Sequence, residues 1–187
     1  MAGRLSGKRV AVLATDGFEE VELIDPTRAL KSEGATVEVV APEGGRIQGF
    51  KHHDKGETVA VDRPLSEATS ADYDALVLPG GVINPDALRL EPEAITFISE
   101  IYKAGKPIGA ICHGPWTLID ADALDGRRVT SWPSLKADLT NAGAQWVDEE
   151  VVVDQGLITS RKPDDLPAFC AKLIEEIAEG RHDVVVT

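Results

Sequence analysis

The chain has 187 residues, 43% hydrophobic and 27% charged, which fits one globular domain with a sizeable core and leaves no run long enough for a membrane span. Nineteen basic against thirty-two acidic residues leave a net charge of −13, which works against attraction to nucleic-acid phosphates. Two cysteines make neither a disulfide framework nor a zinc set, and the first nine residues hold too few apolar positions for a signal peptide, so a single domain over residues 1–187 in a reducing, cytoplasmic setting is expected.

Residues 9–15, RVAVLAT, read as a continuous apolar strand ended by Asp16-Gly17. Phe18, Val21, Ile24 and Leu30 then mark one face of a helix that stops at Gly34, and residues 36–41 form a second strand closed by Pro42. Strand, helix and strand in so short a span make a βαβ unit and call for a parallel sheet. Residues 42–63 are rich in glycine and charge, with alternation over 57–61 that suggests a small antiparallel excursion. The His52-His53-Asp54 run within them suits a polar loop better than a metal site, because adjacent side chains diverge on an extended chain and no third ligand is placed. Residues 74–78 form a third buried strand that runs into Pro79-Gly80-Gly81, where two glycines free backbone N–H groups at the carboxyl end of a parallel strand. A helix is expected over 92–104.

Residues 107–111 form another apolar strand, and Ala110-Ile111-Cys112-His113-Gly114-Pro115 follows the pattern small, x, nucleophile, x, small of a nucleophile elbow. Trp116, Leu118, Ile119 and Ala123 recur at helical spacing after it, so Cys112 should sit over the positive end of a helix, which favours the thiolate. The alternative for Cys112 is a buried small hydrophobe. Farther on, a short strand over 127–131, a helix over 135–142, a strand pair from 146–153 and 157–160, and a last helix over 164–179 complete the pattern. Cys170 falls with Leu166, Leu173 and Ile177 on the apolar face of that helix and reads as core packing. The run Val184-Val185-Val186 suggests a tail that packs on the sheet or on a partner.

Taken together, Phe18-Glu19-Glu20-Val21-Glu22-Leu23, Leu78-Pro79-Gly80-Gly81 and the Cys112 elbow resemble the ThiJ/PfpI superfamily. Thr130-Ser131-Trp132-Pro133, Asn141-Ala142-Gly143-Ala144 and Glu150-Val151-Val152-Val153-Asp154 resemble its PfpI-type intracellular protease and deglycase branch, so the likeness runs over residues 8–178. It implies a flavodoxin-like α/β sandwich with a mostly parallel sheet, no cofactor, and a homodimer or higher homo-oligomer. It also implies roles: Cys112 as nucleophile, His113 beside it, Glu22 as the acid that hydrogen-bonds the thiol, and the N–H groups of Gly81 and His113 as oxyanion hole. Asp86 matches the acid that a neighbouring subunit lends to the histidine. Trp132 stands where another branch carries a histidine, so that histidine's role does not transfer. Glutamine amidotransferases also use an elbow cysteine, but they need a late His-x-Glu pair, and the late histidine here, His182, is followed by Asp183-Val184.

Three functions compete at this level. The first is a stress-protective enzyme acting on reactive aldehydes such as methylglyoxal and glyoxal, or on the early glycation adducts they leave on proteins. In it Cys112 adds to the carbonyl and Glu22 moves the protons. The second is a cysteine peptidase with Cys112, His113 and Asp86 as an inter-subunit triad. The third is a redox sensor or chaperone, without turnover, in which Cys112 is oxidised.

Overall fold

The structure is a computed structural model that describes residues 3–183. In chain order its elements are β1 (Arg9–Leu13), β2 (Phe18–Glu19), α1 (Glu20–Ser32), β3 (Thr36–Ala41), β4 (Arg46–Lys51), β5 (Asp54–Ala60), β6 (Arg63–Pro64), β7 (Ala75–Leu78) and α2 (Ile83–Leu88). They continue with α3 (Pro92–Lys103), β8 (Ile108–Ile111), α4 (Thr117–Asp120), β9 (Arg128–Val129), α5 (Lys136–Asn141), β10 (Gln145–Trp146), β11 (Val152–Asp154), β12 (Leu157–Ser160) and α6 (Leu166–Glu179).

The central sheet has the order β11-β12-β8-β7-β1-β3-β6, parallel throughout except for the antiparallel β11–β12 edge. Its inner strands are continuous apolar runs because both faces are covered. On β1, Val10 and Val12 pack toward Leu23 and Leu30 of α1 and Phe169 and Leu173 of α6, whereas Ala11 and Leu13 join Ile98 of α3, Leu118 of α4 and Leu139 of α5 on the other face. β7 alternates in the same way, with Ala75 and Val77 on one side and Leu76 and Leu78 on the other. This is the expected α/β sandwich. Among the described residues no helix is long and apolar enough to cross a membrane.

Several boundaries differ from the sequence reading. Phe18 belongs to β2, which pairs with β4, and α1 buries Glu20, Glu22, Leu23, Pro26 and Leu30 while Val21 and Ile24 are half-buried. The helix therefore turns Glu20 and Glu22 inward, which a reading by apolar period cannot register. The excursion after β3 is a complete antiparallel hairpin of β4 and β5, longer than the alternation at 57–61 indicated. Residues 146–153 are not one strand: β10 pairs in parallel with β9 in a separate small sheet, and β11 begins only at Val152. The short α2 has no signal in the apolar pattern, because Val82, Ile83 and Leu90 in and around it are apolar yet exposed. Val184-Val185-Val186 lies outside the described residues.

Candidate active site

From β1 the chain crosses to β3 on one side, and it returns to β7 and β8 on the other. At that reversal the carboxyl ends of neighbouring parallel strands open a crevice, the usual ligand position in such sheets. Three segments enter it: the first turn of α1 with Glu22, the Pro79-Gly80-Gly81 loop after β7, and Cys112 after β8. Asn84 of α2, fully buried, ties the second of them to the end of β1. Its Oδ1 accepts the Thr15 N–H at 2.8 Å, and its Nδ2 donates to the Pro79 and Gly80 carbonyls, each at 3.1 Å.

Cys112 has φ +61°, a left-handed conformation that costs a non-glycine residue about 1–3 kcal/mol and is held only where the surroundings enforce it. Two backbone bonds do so: Cys112 N–H donates to the Ser160 carbonyl at 3.0 Å, and the Cys112 carbonyl accepts the Trp132 N–H at 2.9 Å. The expected elbow is present, and its small residues are required. A Cβ on Gly114 would lie 2.3 Å from the Leu78 carbonyl oxygen. Gly81, at φ +77°, has the Gly17 carbonyl oxygen 2.2 Å from where a Cβ would stand. On Gly80 a Cβ would fall 2.5 Å from Glu22 Oε2 and 2.7 Å from Cys112 Cβ, so acid and thiol close on the same glycine.

Glu22 is completely buried. Its Oε2 accepts the Gly80 N–H at 2.7 Å, and its Oε1 is buried without a hydrogen-bond partner among the described residues. Burial pushes its pKa up to about 8, against the opposing pull of the Gly80 N–H, and the Glu19 charge adds to the rise. The carboxyl is therefore protonated at neutral pH.

The expectation of a thiolate favoured by a helix dipole does not hold in its simple form. The elbow is followed by a 3₁₀ turn, Gly114–Trp116, and only then by the four residues of α4, so the aligned dipole is short. Burial pushes the Cys112 thiol well above its ordinary value, as does the charge of Glu22 when ionised, and the N–H groups of Gly81 and His113 pull it down. Neutral Glu22 removes the repulsive contribution. The acid and the thiol thus influence each other's protonation.

Cys112 Sγ lies 3.2 Å from His113 Nδ1. The His113 ring stacks on Trp132 with centroids 6.0 Å apart and meets Trp116 edge-on at 6.2 Å, and burial lowers its pKa, favouring neutral imidazole. These groups open on a cavity of about 580 Å³ walled by Glu19, Glu22, Gly81, Val82, Cys112, His113, Trp132 and Pro163, and by His52 and His53. The two histidines form the turn of the β4–β5 hairpin, with His52 at φ +59° and its N–H bonded to the Glu19 carboxylate at 3.1 Å. The sequence predicts only a polar loop for this run. The pairing of β2 with β4 that brings it to the cavity leaves no local signature. Asp86 sits apart from these residues, exposed on α2 and absent from the cavity wall. Cys170 is half-buried against the α1–α6 side of the core, as packing predicts, with burial raising its pKa to about 11.

Strand reversal, glycine-lined elbow and buried acid together define a cysteine-centred α/β site. The DJ-1/PfpI family model matches residues 8–176, and the chain belongs to that family. It is 44% identical over 164 residues, 87% of this chain and 93% of the other, to protein/nucleic acid deglycase 2 of Escherichia coli. It is 43% identical over 162 residues, 87% of this chain and 94% of the other, to a Bacillus subtilis protein named "Putative cysteine protease YraA". Among solved structures, a two-domain Anabaena variabilis protein with DJ-1/ThiJ/PfpI-like and ferritin-like domains matches with a TM-score of 0.86 and 36% identity, over 91% of this chain and 48% of that one.

Proposed function

We propose that the protein is a cysteine enzyme, working without a cofactor, that converts reactive α-oxo aldehydes or the early adducts they form on proteins, and that one domain carries the whole reaction. The observation that carries this reading is the pairing of Cys112 with the buried, protonated Glu22 against Gly80. The deglycase name of the Escherichia coli relative supports it.

In this reading the pair first gives one proton to solvent; the Cys112 thiolate then adds to the aldehyde carbon, forming the C–S bond, while the N–H groups of Gly81 and His113 stabilise the alkoxide and the protonated Glu22 gives it its proton. The Glu22 carboxylate then takes the proton from that carbon and returns it to the neighbouring carbon, while the hydroxyl proton passes to the neighbouring carbonyl oxygen, which isomerises the hemithioacetal to a thioester. Water cleaves the thioester, releasing the hydroxy acid and restoring the thiol. No external oxidant or reductant enters, since one carbon is oxidised as its neighbour is reduced. The partners are a small aldehyde or a glycated protein and a second copy of the chain, and the setting is cytoplasmic.

A second reading, peptide hydrolysis, is favoured by the 3.2 Å contact between Cys112 Sγ and His113 Nδ1. It needs Asp86 of a neighbouring copy to orient the imidazole, and the exposed Val82, Ile83 and Leu90 around α2 are a surface such a copy could cover. The deciding assay incubates purified protein with methylglyoxal in the absence of added thiol or metal. Lactate should appear, and Cys112→Ala should abolish it. Cleavage of an unstructured peptide without lactate would transfer the site to the peptidase reading, and neither activity would leave oxidation of Cys112 as its role.

A further inference from the structure

A second group of chemistry-bearing side chains stands at the far end of α6, independent of Cys112. Glu176 and Glu179 lie one turn apart on the helix, and His182 folds back beyond Gly180, whose φ of +95° ends the helix. One potential ligand atom from each of the three lies within 4.8 Å of the others.

The fold fixes His182 firmly. Its N–H donates to the Gly105 carbonyl at 2.7 Å. A Cβ on Gly105 would lie 2.1 Å from the His182 carbonyl oxygen, and one on Gly156 would lie 2.7 Å from His182 Cδ2. Two glycines thus make room, one for the backbone and one for the ring. The Glu176 side chain is only 9% exposed, and its Oε2 stands 3.1 Å from His182 Nε2. Yet Nε2 is buried without a hydrogen-bond partner among the described residues, so the two atoms are close but not aligned with each other. Lone pairs that approach without pointing at one another suit a cation placed between them. The negative end of the 14-residue helix favours a cation there as well.

We propose that Glu176, Glu179 and His182 bind one borderline divalent transition-metal cation of the Zn²⁺ class, which fastens the segment after α6 to the helix. Two carboxylates and an imidazole are a donor set such an ion accepts, with water completing the sphere. Glu179 is exposed and free to swing onto the ion, and His182 and Glu176 are already in place.

The test uses the full chain as Cys112→Ala, so that the elbow thiol cannot compete, and titrates Zn²⁺ against a chromophoric chelator. One ion should bind per chain and raise the melting temperature. Adding Glu179→Gln, an exposed change that leaves the fold intact, should weaken binding at least about 10-fold, the low end of what even outer-sphere partners cost. His182→Ala should abolish the one-to-one stoichiometry, and Co²⁺ should shift the His182 imidazole resonances paramagnetically. Absence of stoichiometric binding, or binding that Glu179→Gln leaves unchanged, would overturn the proposal and reduce the cluster to a histidine–carboxylate pair.

Discussion

At the residue scale the proposed chemistry centres on Glu22 and Cys112, each of which shifts the other's protonation. Because Glu22 titrates near 8 and the thiol higher, the pair holds both protons at neutral pH and loses the first as pH rises through about 8. The remaining proton can then rest on the acid and leave the sulfur as thiolate. Alkylation of Cys112 by iodoacetamide should therefore show a rate step centred near pH 8 that disappears in Glu22→Gln, measured by mass spectrometry of the labelled peptide. A step of the same size in both proteins would separate the acid from the thiol. Cys170, half-buried and pushed up to about 11, should label only above that range. The elbow and its glycines were legible from residue sizes alone. The role of Glu22 was not, since beside Glu19 and Glu20 it reads as a solvated charge, and only the family resemblance singled it out.

At the element scale the sequence was most readable where burial is two-sided. β1, β3, β7 and β8 follow from continuous apolar runs, and α3 and α6 from helical spacing between clear stops. It was least readable where short elements owe their place to contacts distant in sequence, as with α2 and the β4–β5 hairpin. Asn84 illustrates this: nothing near it in the chain signals that one side chain will join β1 to the Pro79-Gly80 turn. Asn84→Ala leaves the partly buried Thr15 N–H and the buried Pro79 carbonyl without their partner, whereas the Gly80 carbonyl keeps the Glu19 N–H. Each such group costs about 1–3 kcal/mol, so the variant should lose at least about 2 kcal/mol in urea unfolding. Turnover should fall as well, because Gly80 and Gly81 lose their anchor. Unchanged stability and activity would show that the loop holds its position without Asn84.

At the scale of the whole molecule, the apolar side chains Val82, Ile83 and Leu90 are exposed at the two ends of α2, the helix that carries Asp86, and are where the proposed homodimer would make contact. Assembly should appear as at least a dimer by sedimentation. If Asp86 acts on the neighbouring site, mixing Asp86→Ala with Cys112→Ala under conditions that exchange subunits should restore peptide hydrolysis, since one composite site regains every member. Aldehyde conversion asks less of the assembly, because Cys112, Glu22 and both N–H donors come from one chain. The two readings therefore part on which carboxylate matters, and one measurement separates them: lactate formation from methylglyoxal by Glu22→Gln and by Asp86→Ala, each checked for normal assembly. The account predicts that Glu22→Gln lowers the rate about 10²- to 10⁴-fold, the usual cost of removing a general acid–base, and that Asp86→Ala lowers it far less. Near-normal turnover in Glu22→Gln, or its loss in a normally assembled Asp86→Ala, would contradict it.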